Sequence, residues 1–92
     1  MTTEKKDIDT LEFEGRVAMI TGAATGLGYS IAQEFHARGA FTVMVDQSDE
    51  VKKKASVLGS SRVLGLTADL TVRKEVEAAR KEILRTCGTI DT

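Results

Sequence analysis

Three glycines separate an uncharged run from a helical repeat. Val17-Ala18-Met19-Ile20 comes first, then Thr21-Gly22-Ala23-Ala24-Thr25-Gly26-Leu27-Gly28, then a segment in which Leu27, Ile31 and Phe35 recur at helical spacing. The glycines therefore fall in the turn between a buried strand and the helix that follows. A helix N-terminus presents unpaired backbone N–H groups and a partial positive charge, so it attracts a phosphate. Side chains in the turn would hold the phosphate off. Glycine has none, and it tolerates positive φ.

The rest of the chain repeats the alternation. A first strand is predicted over Arg16–Thr21 and a first helix over about Leu27–Ala37, stopped by Gly39. Phe41–Val45, rich in β-branched residues, is a second strand ending at Asp46. Ser48 or Asp49 can cap a second helix, with Val51, Ala55 and Leu58 inward and Lys52, Lys53 and Lys54 outward. Gly59-Ser60-Ser61 is a turn, and Arg62–Thr67 a third strand. Thr71 can cap a third helix over about Val72–Arg85, with Val72, Val76, Ala79 and Ile83 on one side, until Gly88 breaks it. Thr89–Thr92 reads as the approach to a fourth strand. Strands alternating with helices at this spacing predict an α/β fold with a parallel sheet and right-handed crossovers, and ligands in such sheets bind beyond the carboxyl ends of the strands. The glycine turn, Asp46 and Asp69 all fall at those ends.

Composition narrows the classes. At 92 residues the chain is at most one domain, and its net charge of −1 gives no electrostatic footprint for nucleic acid or an anionic membrane. No apolar run approaches the roughly 20 residues of a membrane span. Residues 1–10 are polar and mixed in charge, which predicts a frayed tail without the apolar block of a secretion signal. Leu11-Glu12-Phe13 is expected to pack loosely against the sheet. The single cysteine, Cys87, fits a reducing compartment, and the default localisation is cytoplasmic.

At the strand ends two readings stand beside each other for each residue. Gly22, Gly26 and Gly28 either make room for a pyrophosphate or merely mark a turn. Asp46, 18 residues after Gly28 (46 − 28 = 18), either accepts hydrogen bonds from the ribose hydroxyls of a dinucleotide or opens a turn with Gln47 and Ser48. The first reading favours NAD over NADP, because a 2′-phosphate would face a carboxylate with no Arg or Lys in the glycine turn or directly after Asp46. Asp69 either receives an adenine amino group or precedes the cap of the third helix. Thr25 either touches phosphate or ribose or bonds to backbone. His36 reads as a surface or boundary residue, Cys87 lacks partners at zinc spacing, and no Gly-Lys-Ser/Thr follows Gly22 to make a Walker A loop.

Thr21-Gly-x-x-x-Gly-x-Gly28, preceded by Leu11-Glu-Phe-Glu-Gly-Arg-Val17, resembles the start of the short-chain dehydrogenase/reductase family. Asp46 is similar to the acid that selects NAD in NAD-preferring members, Asp69-Leu70 to the pair that holds adenine, and Ile90-Asp91 to the residues that lead into strand four. The resemblance implies a Rossmann-type parallel sheet with flanking helices (β-α-β-α-β-α), incomplete and lacking strand four onward, with residues 11–92 a partial NAD-binding domain. It implies cofactor contacts at Gly22, Thr25, Gly26, Leu27, Gly28, Asp46, Asp69 and Leu70. The family's catalytic Ser and Tyr-x-x-x-Lys have no counterparts here, since the only tyrosine, Tyr29, is followed four residues on by Gln33. The expected function is the NAD-binding portion of an oxidoreductase acting on CH–OH and carbonyl groups, inactive by itself. The alternative is a non-catalytic nucleotide-binding or interaction module completed by another chain. A third reading, an S-adenosylmethionine site, is disfavoured by the glycine spacing. In the family's strand order strand one lies between strands two and four, so an open edge that invites self-association is expected.

Overall fold

The computed structural model describes residues 12–59 and 61–91; the expected tail at residues 1–10, together with Leu11, lies outside them. The chain runs β1 (Val17–Thr21), α1 (Gly26–Ala37), β2 (Phe41–Asp46), α2 (Glu50–Leu58), β3 (Val63–Thr67) and α3 (Arg73–Cys87). The strands form one parallel sheet in the order β1-β2-β3, with Val17 opposite Phe41 and Thr42 opposite Val63. The predicted elements all form.

β2 is central because both of its faces are covered. Val43, Met44 and Val45 are all buried, and a parallel strand covered on both sides is an unbroken apolar run. Side chains alternate between faces. Ala18, Ile20 and Met44 meet Ala32 of α1 and Val51 and Ala55 of α2 in one core. Val17, Val43 and Val45 meet Ala79 and Ile83 of α3 in the other. Burying each of the larger side chains contributes about 1.5–3 kcal/mol. Gly65 sets how closely α2 sits on β3, since a Cβ there would come 2.9 Å from the Ala55 Cβ.

Several expectations are corrected. The apolar line predicted for α1 is not its buried face: Leu27 is 77% exposed, whereas Ala32 is 0% exposed. Small residues face the sheet because the helix lies close to it; Leu27 and Ile31 look outward, and of the predicted line only Phe35 packs, half-buried, against the core. Along α3 only Ala79 and Ile83 of the predicted line are buried; Val72 and Val76, toward the N-terminal end, are exposed. Arg62 precedes β3 instead of beginning it. It has φ +58°, and its Nη1 donates to the carbonyls of His36 and Ala40 at 3.2 and 3.1 Å. The guanidinium thus bridges a carbonyl in the last turn of α1 and one just before β2. Lys54 is not on an outer face like Lys52 and Lys53; its ammonium lies 4.9 Å from the centre of the Tyr29 ring. Phe13 stacks on Phe35 of α1 at 4.9 Å, so the entry segment packs on the helix.

Helix ends follow the expected chemistry at their C-termini. Gly39 and Gly88 have φ +97° and +84°, and the Gly88 N–H closes onto the Leu84 carbonyl at 2.9 Å. At the start of α3 the expected Thr71 cap is absent. Val72 occupies the cap position and makes no side-chain cap hydrogen bond. At the start of α2, Asp49 holds the cap position without a cap bond, while the Ser48 hydroxyl accepts the Glu50 N–H at 3.1 Å. The segment after Gly88 reaches β1: the Asp91 N–H donates to the Val17 carbonyl at 2.8 Å, and the Val17 N–H donates to Asp91 Oδ2 at 2.9 Å. Beyond that contact, no strand among the described residues pairs with this edge of β1.

Candidate functional site

The carboxyl ends of the three strands enclose a cleft of about 200 Å³ lined by Thr21, Gly22, Val45, Asp46, Gln47, Ala68, Asp69, Leu70 and Thr71. The parallel topology makes it, because each strand delivers its last residues to the same side. Of the eight residues expected from the sequence, the cleft wall collects Gly22, Asp46, Asp69 and Leu70. Thr25, Gly26, Leu27 and Gly28 lie at the adjoining start of α1 and not in that wall.

Asp46 ties the two regions together. Its Oδ2 accepts the N–H of Ala24, inside the glycine turn, at 3.0 Å, and its Oδ1 accepts the N–H of Ser48 at 3.1 Å. Asp46 thus opens the turn at Ser48, as one of its two readings has it, and its other oxygen reaches the glycine turn before α1. The Ser48 N–H, then that of Ala24, holds the carboxyl below its ordinary value of 3.8. A carboxyl whose pKa falls on folding contributes stability that is fully present above the unfolded value and is lost as pH falls through the lower folded value. Acid titration of the melting temperature should therefore show a loss beginning below about pH 4. That limb should flatten in Asp46→Asn, and an identical limb in the variant would disprove the linkage.

The glycines divide by role. Gly22 and Gly26 have φ +64° and +51°, and a Cβ on either would meet no atom within 4 Å, so the space beside them is open. Gly28 is different. A Cβ there would stand 2.0 Å from the Gly22 carbonyl oxygen and 2.7 Å from its carbon, so the chain's own backbone fills that space. Of the two readings of the glycines, room for a ligand or a mark of the turn, neither describes Gly28, which lets the helix approach the turn. Thr25 is extended, and its side chain makes no cap hydrogen bond; α1 also has no acid in its first turn. The first turn of α1 thus carries no side-chain cap and no acid of its own, and the carboxylate beside it is that of Asp46, on the Ala24 N–H. Open space beside two glycines, backbone donors and a neighbouring carboxylate fit a diphosphate joined to a sugar.

Asp69 is held from three sides. Its Oδ1 accepts the N–H and the hydroxyl of Thr71 at 2.9 and 2.6 Å, and its own N–H donates to Glu75 Oε1 at 2.7 Å. The Thr71 hydroxyl, then the Thr71 N–H, lowers the carboxyl pKa. Thr21, Val45, Gln47, Ala68 and Thr71 join the wall without having been expected. Their one signal in the sequence was adjacency to the residues that end the strands. His36 is a boundary residue, as expected. Its Nε2 has no partner among the described residues, and burial, then the charge of Arg62, lowers its pKa. Tyr29 is partly buried against the α1–α2 core, outside the cleft wall. No group of His, Cys, Asp and Glu among the described residues can hold a metal ion, and no helix among them is long and apolar enough to cross a membrane.

Residues 16–92 match the family model described as short chain dehydrogenase. The chain belongs to the short-chain dehydrogenase family. Among its relatives, an NAD-dependent glycerol dehydrogenase of Listeria innocua is 37% identical over 76 residues, which are 83% of this chain and 30% of the relative. A meso-2,3-butanediol dehydrogenase of Serratia marcescens is 34% identical over 82 residues, 88% of this chain and 33% of the relative. A solved 3-ketoacyl-(acyl-carrier-protein) reductase from Brucella melitensis, complexed with NADH, superposes with a TM-score of 0.81 at 35% identity, covering 85% of this chain and 32% of the other. The chain thus spans about a third of the length of these short-chain dehydrogenases, and its three-stranded parallel sheet is a Rossmann-type portion of their fold.

Proposed function

We propose that this portion binds the ADP-ribose half of a nicotinamide dinucleotide, NAD in preference to NADP, for a protein that interconverts a hydroxyl and a carbonyl. The observation that carries the reading is the Asp46 carboxylate, 3.0 Å from the Ala24 N–H and lining the cleft between the glycine turn and Asp69. Backbone N–H groups of residues 25–28 hold the diphosphate, with Gly22 and Gly26 leaving the space and Leu27 contributing its N–H. Asp46 accepts the ribose hydroxyls with the lone pairs that Ala24 and Ser48 leave unused. Asp69 and Leu70 face the base. When bound, the cofactor supplies or takes the hydride; no residue of this chain is assigned to proton transfer. The NAD-dependent glycerol dehydrogenase and the NADH-bound reductase support the cofactor class, and like-charge repulsion at Asp46 supports the choice within it. A cytoplasmic setting is supported by the lone free thiol of Cys87.

The reading is tested by titrating the chain separately with NADH, NADPH and S-adenosylmethionine. NADH should bind most tightly and S-adenosylmethionine not at all; equal affinity for the two dinucleotides would defeat the NAD assignment, and binding of S-adenosylmethionine alone would defeat the whole reading.

The edge of β1 supports a second element of function. Past the Asp91–Val17 contact this edge has no strand beside it among the described residues, and exposed Leu27 and Ile31 lie on the neighbouring helix. An unpaired edge flanked by apolar side chains associates with another strand. We infer that the 92-residue chain self-associates or joins a completing chain there. Sedimentation should show mass rising with concentration. A single monomeric species with a sharp cooperative melt would refute this.

A further inference from the structure

Among the residues unclaimed by the cofactor reading, Thr71 makes the shortest contact in the cleft. We propose that Thr71 is a positioning residue, fixing the Asp69 carboxylate so that its second oxygen meets the amino group of the cofactor's base and the cleft selects adenine over a base with an oxo group there. This rests on the dinucleotide reading given above.

The geometry is over-determined at Asp69. Its carbonyl accepts the Val72 N–H at 3.0 Å, and its N–H is taken by Glu75 Oε1 at 2.7 Å, so the backbone is held on both sides. Two donors from one residue, the Thr71 N–H and hydroxyl, converge on Oδ1 at 2.9 and 2.6 Å. That stops the carboxylate from rotating, as outer hydrogen bonds do for groups that contact a ligand directly. Oδ2 has no hydrogen-bond partner among the described residues, and Asp69 lines the cleft. An ionised carboxylate only accepts hydrogen bonds. A base that presents N–H₂ to a fixed Oδ2 makes a charge-assisted bond, and one that presents C=O sets two acceptors against each other. A mobile carboxylate would turn away from the oxo group and discriminate poorly. The hydroxyl of Thr71 therefore acts through Asp69, and its effect is on the choice of base more than on affinity as such.

The experiment compares binding of NADH and its hypoxanthine analogue to the 92-residue chain and to Thr71→Val and Thr71→Ser. Valine keeps the shape and the N–H and removes the hydroxyl; serine restores it. The unaltered chain should prefer the amino base roughly tenfold or more, as expected for a hydrogen bond to a charged acceptor. Thr71→Val should bring the two ligands to within about threefold, and Thr71→Ser should recover the preference. Titration of the Asp69 carboxyl by ¹³C NMR in the ligand-free variants is a second readout: its midpoint should rise toward the ordinary 3.8 in Thr71→Val and fall back in Thr71→Ser. An unchanged preference in Thr71→Val, an unmoved midpoint, or failure of serine to restore either one would overturn the role of Thr71 and leave the dinucleotide reading standing. Absence of NADH binding to the unaltered chain would overturn both.

Discussion

Gly28→Ala is expected to lower the melting temperature of the chain by more than any other single methyl addition in the glycine turn. The added Cβ would lie 2.0 Å from the Gly22 carbonyl oxygen, 2.7 Å from its carbon and 3.2 Å from the Ala23 Cα. All three are backbone atoms, so no flexible side chain can move aside. Relief requires α1 to lift from the turn, which would open the core built on Ala23, Ala24 and Ala32. Overpacking costs about 1–3 kcal/mol even where side chains give way. Here about 3 kcal/mol or more is expected, against a total of roughly 5–14 kcal/mol for a chain this size. At about 4–8 °C per kcal/mol, the melt should fall by at least ~12 °C. Gly22→Ala supplies the comparison. It has φ +64° and open space, so only the left-handed backbone is penalised, by about 1–2 kcal/mol. Equal losses for the two variants would show that close approach is not what Gly28 provides.

Asp46→Ala should reverse or abolish the preference for NADH over NADPH. In the unaltered chain the 2′-phosphate meets a carboxylate whose pKa is lowered by the N–H groups of Ser48 and Ala24, so it is fully ionised at neutral pH. Like-charge juxtaposition costs several kcal/mol, which is two decades or more in the ratio of dissociation constants. Removing the carboxylate deletes the acceptor for the ribose hydroxyls and weakens NADH binding by roughly ten- to a hundredfold. NADPH binding should change much less or improve. Calorimetric titration with both cofactors reads the ratio directly, and a ratio within twofold of the original would remove Asp46 from the site. The variant should also lose about 1–3 kcal/mol of stability without any ligand, because the Ala24 N–H, 3.0 Å away, loses its acceptor. The two effects are separable, since stability is read in the absence of cofactor.

How far the site was legible in the sequence depended on whether a residue's role was set along the chain or across it. Glycines between an apolar run and a helical repeat, and acids just past two later strands, are visible because strand–helix alternation has only one common solution. Thus Gly22, Gly26, Asp46 and Asp69 are legible as strand-end or helix-start positions, and the fold puts them there. The buried face of α1 is not legible in the same way. Leu27 and Ile31 have helical spacing and look like a core stripe, yet the buried face is made of Ala32 with Gly28 above it. Hydrophobic periodicity weights large side chains, and a helix that lies close to a sheet is seated on small ones.

What the sequence alone determined is the order of elements, the parallel sheet they imply and the residues that end each strand, because these follow from local periodicity and turn chemistry. Only the tertiary structure decided what those ends do to one another. It set the Asp46 oxygen on the Ala24 N–H, turned Thr71 from a helix cap into a clamp on Asp69, and made Gly28 a matter of contact with Gly22. Each of these depends on ångström-scale distances between groups separated along the chain or competing for the same partner. Spacing in a sequence ranks such options, and close packing in three dimensions selects among them.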